Sequence, residues 1–163
     1  MLTAAVAALS VAAPVQTAYA QAPTKQTFQA LYDKQDAAVK KRDLNGAMAF
    51  VSPNVQIKMK NGMTVTFAQV KTQMQQIFAS AKSISSSSKV QSVKMAAGNA
   101  VVRVANHGKF VIANPQTGKS MTLESEETSD DTWAKSKGHW QMVASSTVSG
   151  HSTMDGKPMP GGM

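Results

Sequence analysis

The sequence predicts an α+β domain in which helices near the N-terminus precede a run of long antiparallel strands. Three observations carry this expectation. Amphipathic helical segments lie in the first half, β-like alternation fills the second, and Asp131 to Ser145 reads as two strands joined at Lys137-Gly138. In that hairpin Trp133, Trp140, Met142 and Val143 supply apolar contacts, and Gly138 supplies the positive φ that a tight turn needs.

Residues 1–20 carry no charged side chain and run through Leu2, Ala4 to Leu9 and Val11 to Ala13 into a break at Pro14 and then Ala18-Tyr19-Ala20. An apolar run closing on a small-x-small site is the pattern of a secretory signal, cleaved before Gln21. No Lys or Arg precedes the run, which departs from that pattern, and the alternative is an alanine-rich first helix of the folded domain. The segment is too short and too rich in alanine for a membrane span of ~20 apolar residues. An exported protein, periplasmic or secreted, with no integral membrane segment after cleavage is therefore expected.

Cleavage leaves 143 of the 163 residues, enough for one domain with its own core, expected over 21–149. The absence of cysteine excludes disulfides, thiol chemistry and thiolate metal sites. The formal net charge is +8, yet every basic residue except Arg42 and Arg103 is a lysine, and the lysines are scattered. Planar bidentate forks for phosphates or bases are thus scarce, and a solvated basic surface rather than a nucleic-acid partner is expected. The one basic run, Lys40-Lys41-Arg42, falls at a helix end, where cations suit the helix dipole.

Phe28, Leu31, Tyr32, Gln35 and Val39 recur at helical spacing and predict a first helix from about Thr24 to Arg42. Asp43 is placed to cap a short second helix ending near Phe50, broken by Ser52-Pro53-Asn54. Val55, Ile57 and Met59 alternate with polar residues, and Asn61-Gly62 signals a hairpin turn before Thr64-Val65. Thr66 and Gln69 form a capping box for a third helix whose stripe is Phe67, Val70, Met74, Ile77, Phe78 and Ala81. The run Ser83 to Ser88 is expected to open a long strand, because alternation resumes at Val90, Val93 and Met95 before a turn at Gly98-Asn99. Strands over about 100–113, 119–135 and 139–148 complete the sheet.

Taken together, these segments resemble the nuclear transport factor 2-like superfamily, and more narrowly its bacterial SnoaL-like members. The resemblance covers about residues 26–149 and rests on Ala37-Ala-Val-Lys-Lys-Arg-Asp43, Ala47-Met-Ala-Phe50, Pro53-Asn-Val55, Asp131-Thr-Trp133, Gly138, Trp140 and Val143-Ala-Ser145. It implies a curved antiparallel, cystatin-like sheet wrapped around the N-terminal helices to leave a cone-shaped pocket. It also implies a range of roles, from isomerases and dehydratases to non-catalytic binding or dimerising domains, so fold does not fix function.

No catalytic residue of such enzymes maps onto this chain, and the local candidates are Tyr32, Asp36 and His107. Tyr32 and Asp36 are four apart on one helix surface, where Asp36 could act as a general base and Tyr32 as an oxyanion donor. The structural alternative makes Tyr32 core, leaves Asp36 solvated or paired with Lys40, and assigns Gln35 to a backbone group. His107 lies beside Gly108, where a bulge could re-aim it, or it could meet a carboxylate across the sheet. Alternation puts Glu124 and Glu126 on one sheet face and Glu127 and Asp131 on the other, so at most one pair can enter the cone. Gln35, Met59, Met74, Phe78 and Trp133 are the expected ligand contacts.

After Gly150 the chain loses hydrophobic periodicity, and residues 150–163 are expected to form a disordered Met-, Gly- and Pro-rich tail. His151, Met154, Met159 and Met163 are soft ligand types that could close around Cu(I), against the plainer reading of a solubilising end. The functional expectation is an exported domain that binds a small apolar or amphipathic ligand or forms a homodimer, with no cofactor and no resident metal. The alternative is an isomerase or dehydratase moving a proton on an apolar carbonyl substrate.

Overall fold

The computed structural model describes residues 22–113 and 117–159. The expected signal segment and Met163 lie outside the described residues. Helix α1 spans Lys25–Lys40, and its N-cap Thr24 exchanges hydrogen bonds with Thr27 at 3.1 and 3.3 Å. Helix α2, Leu44–Met48, is capped by Asp43 as expected, the Gly46 amide donating to its carboxylate at 3.0 Å. Gly46 also lets the helices approach, since a β-carbon there would lie 2.9 Å from the methyl group of Ala38. Helix α3, Phe67–Ser80, begins at the expected Thr66–Gln69 capping box.

Six strands follow the expected sequence order and a seventh was not expected: β1 Val51–Lys58, β2 Thr64–Thr66, β3 Ala81–Ala96, β4 Asn99–Ala113, β5 Ser120–Ser136, β6 His139–Met154 and, unexpected, β7 Lys157–Pro158. They form one curved, unclosed sheet ordered β2-β1-β6-β5-β4-β3, with β7 paired to the far end of β6. The long strands pair antiparallel, but β1 runs parallel to β6, so the sheet is mixed rather than wholly antiparallel. Register shifts at Val90/Ser92, Thr128/Ser129 and Thr132/Trp133 interrupt the ladders where extra residues increase local bend.

Three hairpins use the same two-residue turn. Ala97-Gly98, Lys137-Gly138 and Asp155-Gly156 all have positive φ at both positions, 47° and 81°, 50° and 83°, and 50° and 76°. Such turns match the twist of the flanking strands, and glycine enters this region without strain. The first turn sits one residue earlier than expected, with Asn99 already in β4.

Over residues 150–158 the structure corrects the tail expectation. Residues 150–154 continue β6, pair with β5 from Leu123 to Glu127, and turn through Asp155-Gly156 into β7. The strand lacks hydrophobic periodicity because Ser149, Gly150, Ser152 and Thr153 are small or polar, so backbone pairing rather than an apolar face holds it.

Helix α1 lies against the concave face, chiefly over β3. Gln29 fixes its position by donating to the Ser88 carbonyl at 2.8 Å and accepting from the Val90 amide at 2.9 Å. The core beneath it is built on Trp133, which is 1% exposed. The rings of Phe28 and Tyr32 each lie 5.5 Å from it, and Trp140 lies 5.3 Å from Phe28. Offset and edge-on aromatic contacts of this kind add to the gain from burial. Among the described residues, no helix is long and apolar enough to cross a membrane.

Candidate functional site

Between α1, α3 and the concave sheet face lies a cavity of about 290 Å³. The helical spacing 32, 35, 36, 39 turns Tyr32, Gln35, Asp36 and Val39 toward it. Strand alternation supplies the facing wall: Ser86 and Ser88 from β3, Asn106, Gly108 and Phe110 from β4, Glu127, Ser129 and Asp131 from β5. Ile57, Met74 and Met142 add apolar surface. One part of the lining is therefore aliphatic and aromatic, while the sheet side is dense in hydroxyl and carboxyl groups.

Asp131 is the most deeply buried of these carboxyls, at 4% exposure. Its two oxygens accept from the Tyr32 hydroxyl and from Ser145 Oγ, each at 2.6 Å, and the Tyr32 oxygen accepts from Trp133 Nε1 at 3.2 Å. Burial pushes the Asp131 carboxyl above the ordinary carboxylate range, outweighing the stabilising hydrogen bonds from Ser145, Tyr32 and Ser129. Burial, and then the adjacent Asp131, drive the Tyr32 hydroxyl far above the ordinary phenol range. Glu127 is also raised, mainly by burial, against the hydrogen bond it accepts from Thr147 at 3.2 Å.

Asp36 corrects the expectation of a solvated side chain or a Lys40 pair. It is 7% exposed, and Oδ1 accepts from Ser86 Oγ at 2.6 Å and Ser88 Oγ at 3.2 Å. Oδ2 takes part in no hydrogen bond among the described residues, yet Ser152 Oγ is the one buried side-chain polar atom there without a partner. Oδ2 is therefore open, and the cavity is the space that Asp36 lines.

The structure brings Tyr32 and Asp36 to the walls of one cavity that His107 only borders, its side chain turned to the other face of the sheet, and no two of the three are joined by a hydrogen bond. The Tyr32 proton is committed to Asp131, so its hydroxyl does not serve as a free oxyanion donor. His107 is not re-aimed by a bulge, since the register runs unbroken through Ser87, His107 and Glu126. Its imidazole Nε2 lies 3.0 Å from Glu124 Oε1, and Lys109 Nζ approaches the same carboxylate at 3.7 Å, both on the outer face. The cross-sheet carboxylate expected for His107 is thus Glu124.

Among the expected ligand contacts, Gln35 and Met74 line the cavity, although the Gln35 amide donates to the Ala47 carbonyl at 3.0 Å. Phe78 lines an adjoining cleft of about 90 Å³ that shares Val39, Met74 and Phe110 with the main cavity. Trp133 lies beneath the floor as core, and Met59, just beyond β1, does not line the cavity. The residues missed as site members are Asp131, Glu127, Ser86 and Ser88. The alternation that separates Glu127 and Asp131 from Glu124 and Glu126 was the available signal, as was the two-residue spacing of the serines.

Among the described residues no group of three His, Asp or Glu side chains is arranged to hold a metal ion. The expected Cu(I) tail is paired strand rather than a flexible segment over residues 150–154, while Met163 lies outside the described residues. His151 and Met154 sit in β6 three residues apart, and alternation sends their side chains to opposite faces.

A curved open sheet holding helices in its concave face is the nuclear transport factor 2-like, or cystatin-like, fold. Solved structures of similar shape include a conserved protein from Planctomyces limnophilus, 14% identical over 73% of this chain and 90% of that one, with a TM-score of 0.62. A candidate scytalone dehydratase from Novosphingobium aromaticivorans is 12% identical over 77% and 84%, TM-score 0.60. A domain of unknown function with a cystatin-like fold from Nostoc punctiforme is 13% identical over 78% and 77%, TM-score 0.56. No protein-family model matches the sequence, and no curated protein matches it. At these identities the likeness is one of fold.

Proposed function

We propose that this chain is an exported SnoaL-like domain that holds a small amphipathic molecule in its concave cavity without transforming it. The observation that carries the reading is the two-sided lining, with Val39, Met74 and Phe110 on one part and Ser86, Ser88, Asn106 and Asp36 on another. A pocket of that composition grips an apolar body and orients a polar end. Export rests on residues 1–20, and the convex sheet face is the surface proposed for homodimer formation.

The test is an amide-shift titration of the mature protein with neutral, cationic and anionic amphipathic fragments of ~10 heavy atoms, the scale that a pocket at the small end of ligand sites accepts. At least one class should shift Asp36, Asn106 and Phe110 saturably. Gly108→Val should abolish those shifts, because a β-carbon there already meets the Phe110 ring at 3.0 Å and Ser125 Oγ at 3.1 Å. Absence of saturable shifts at these residues with every class overturns the binding reading.

A second reading, proton transfer on an apolar carbonyl substrate, is favoured by one observation: Glu127 faces the cavity with its affinity for a proton raised by burial. The committed Tyr32 proton stands against it. Deuterium uptake into such a substrate that requires Glu127, and is lost in Glu127→Gln, would establish the enzyme.

A further inference from the structure

Three carboxyl groups line the cavity, and no lysine or arginine does, in a protein whose formal net charge is +8. Basic side chains are plentiful elsewhere, so the concave face is a local exception to the charge of the molecule. The three carboxyls are not equivalent. Asp131 is closed off, both oxygens taken by Tyr32 and Ser145. Glu127 lies two strands away from the serines that hold Asp36, with Asn106 between them in the ladder Ser88–Asn106–Glu127.

Asp36 is different because one oxygen is held and the other is open. Ser86 and Ser88 both donate to Oδ1, which fixes the carboxylate plane without using its second acceptor. Asp36 is more than nine-tenths buried, it lines the cavity, and Oδ2 takes part in no hydrogen bond among the described residues. A buried acceptor of this kind is best satisfied by a strong donor, and a charged donor gives the shorter and stronger bond. Asn106 faces the same space from β4, and its side-chain amide hydrogen-bonds no other side chain or backbone group among the described residues.

One helical turn from Asp36 the lining becomes apolar. Val39, Met74 and Phe110 form a shared wall between the main cavity and the 90 Å³ cleft, and Val70, Ile77 and Phe78 close that cleft. A polar acceptor thus stands at the entrance of a narrow apolar slot.

We propose that the cavity is a site for a small primary amine, its ammonium group on Asp36 Oδ2 beside Asn106 and its short alkyl or aryl tail between Val39, Met74 and Phe110 toward Phe78. This names the ligand class of the binding reading above and rests on it. An anionic head group would face Asp36 and Glu127 with no compensating cation. A neutral alcohol can donate to Asp36 but lacks the charge, and a charge-assisted bond exceeds a neutral one by enough for about a tenfold change in affinity.

The experiment compares hexylamine, 1-hexanol and hexanoate, three probes with one tail and different heads, by amide-shift titration of the mature protein. Hexylamine should bind at Asp36, Ser86, Ser88 and Phe110 about tenfold more tightly than hexanol, with hexanoate weaker still. Asp36→Asn, which keeps the shape and an acceptor for the two serines, should bring hexylamine and hexanol to within about twofold of each other. Hexanol or hexanoate binding at these residues as tightly as hexylamine overturns the amine assignment and leaves the binding reading standing. No saturable shift from any of the three also overturns the amine assignment, and the broader fragment titration then decides the binding reading separately. The head-group comparison on the unsubstituted protein keeps the test decisive should Asp36→Asn fail to fold.

Discussion

Strand β5 carries two sets of acidic residues that differ only in which face of the sheet they occupy. Glu124 and Asp130 project from the convex face and meet nitrogen-bearing side chains: Asp130 forms a two-pronged pair with Arg103 at 2.7 and 2.8 Å, and Glu124 contacts His107 and Lys109. Hydrogen bonding to Arg103 holds Asp130 below the ordinary carboxylate range, and hydrogen bonding to His107 does the same for Glu124. Glu127 and Asp131 project from the concave face, meet only hydroxyl donors, and are raised by burial. Identical side-chain chemistry is thus driven in opposite directions across a single pleated strand, by ion pairing on one side and by burial on the other. Proteins keep buried carboxyls where surrounding donors satisfy them, and the concave face does so with serine, threonine and tyrosine rather than with lysine or arginine.

The concave side should be the more fragile. Replacing Trp133 by Ala removes the aromatic on which Phe28 and Tyr32 rest, and should cost ~3–5 kcal/mol in urea unfolding. Tyr32→Phe should cost about 1–3 kcal/mol, because it strips one donor from buried Asp131 and the acceptor from Trp133 Nε1. A melting midpoint unchanged in both variants would mean that the concave network is not holding the fold.

The pH response should separate the two faces. Glu127 and Asp131 hold their protons more tightly in the folded chain than in the unfolded one. Their contribution to stability is complete below the ordinary carboxyl range and is lost as pH rises through their raised folded values. Glu124 and Asp130 act in the reverse sense, stabilising above the ordinary range and losing that contribution as pH falls through their lowered values. Glu127→Gln should therefore flatten the decline of the melting midpoint as pH rises above the ordinary carboxyl range. The smallest effect should come from Arg103→Ala, which breaks an exposed pair and should leave the midpoint near that of the parent at physiological salt.

Much of this asymmetry was readable in the chain. Period-two alternation from Glu124 to Asp131 sorted the acids onto the right faces, and the capping signals at Asp43 and Thr66 placed α2 and α3. What could not be read was pairing across long separations. Tyr32 and Asp131 are 99 residues apart, and Asp36 meets its serines 50 and 52 residues away. Local spacing made Tyr32 and Asp36 look like partners, whereas tertiary packing gave each a different one. The parallel pairing of β1 with β6 was hidden for the same reason, because no turn residue encodes it. The continuation of β6 past Gly150 was missed for a different reason. Its side chains carry no apolar rhythm, although Asp155-Gly156 is a hairpin signal in its own right.

The direct measurement is a residue-resolved titration of the four β5 carboxyls by carbon-detected NMR of their side chains. Glu127 and Asp131 should titrate above the ordinary carboxylate range, and Glu124 and Asp130 below it. Glu127 and Asp131 titrating at or below Glu124 and Asp130 would contradict the picture of a buried, carboxyl-lined cavity set against an exposed, ion-paired outer face.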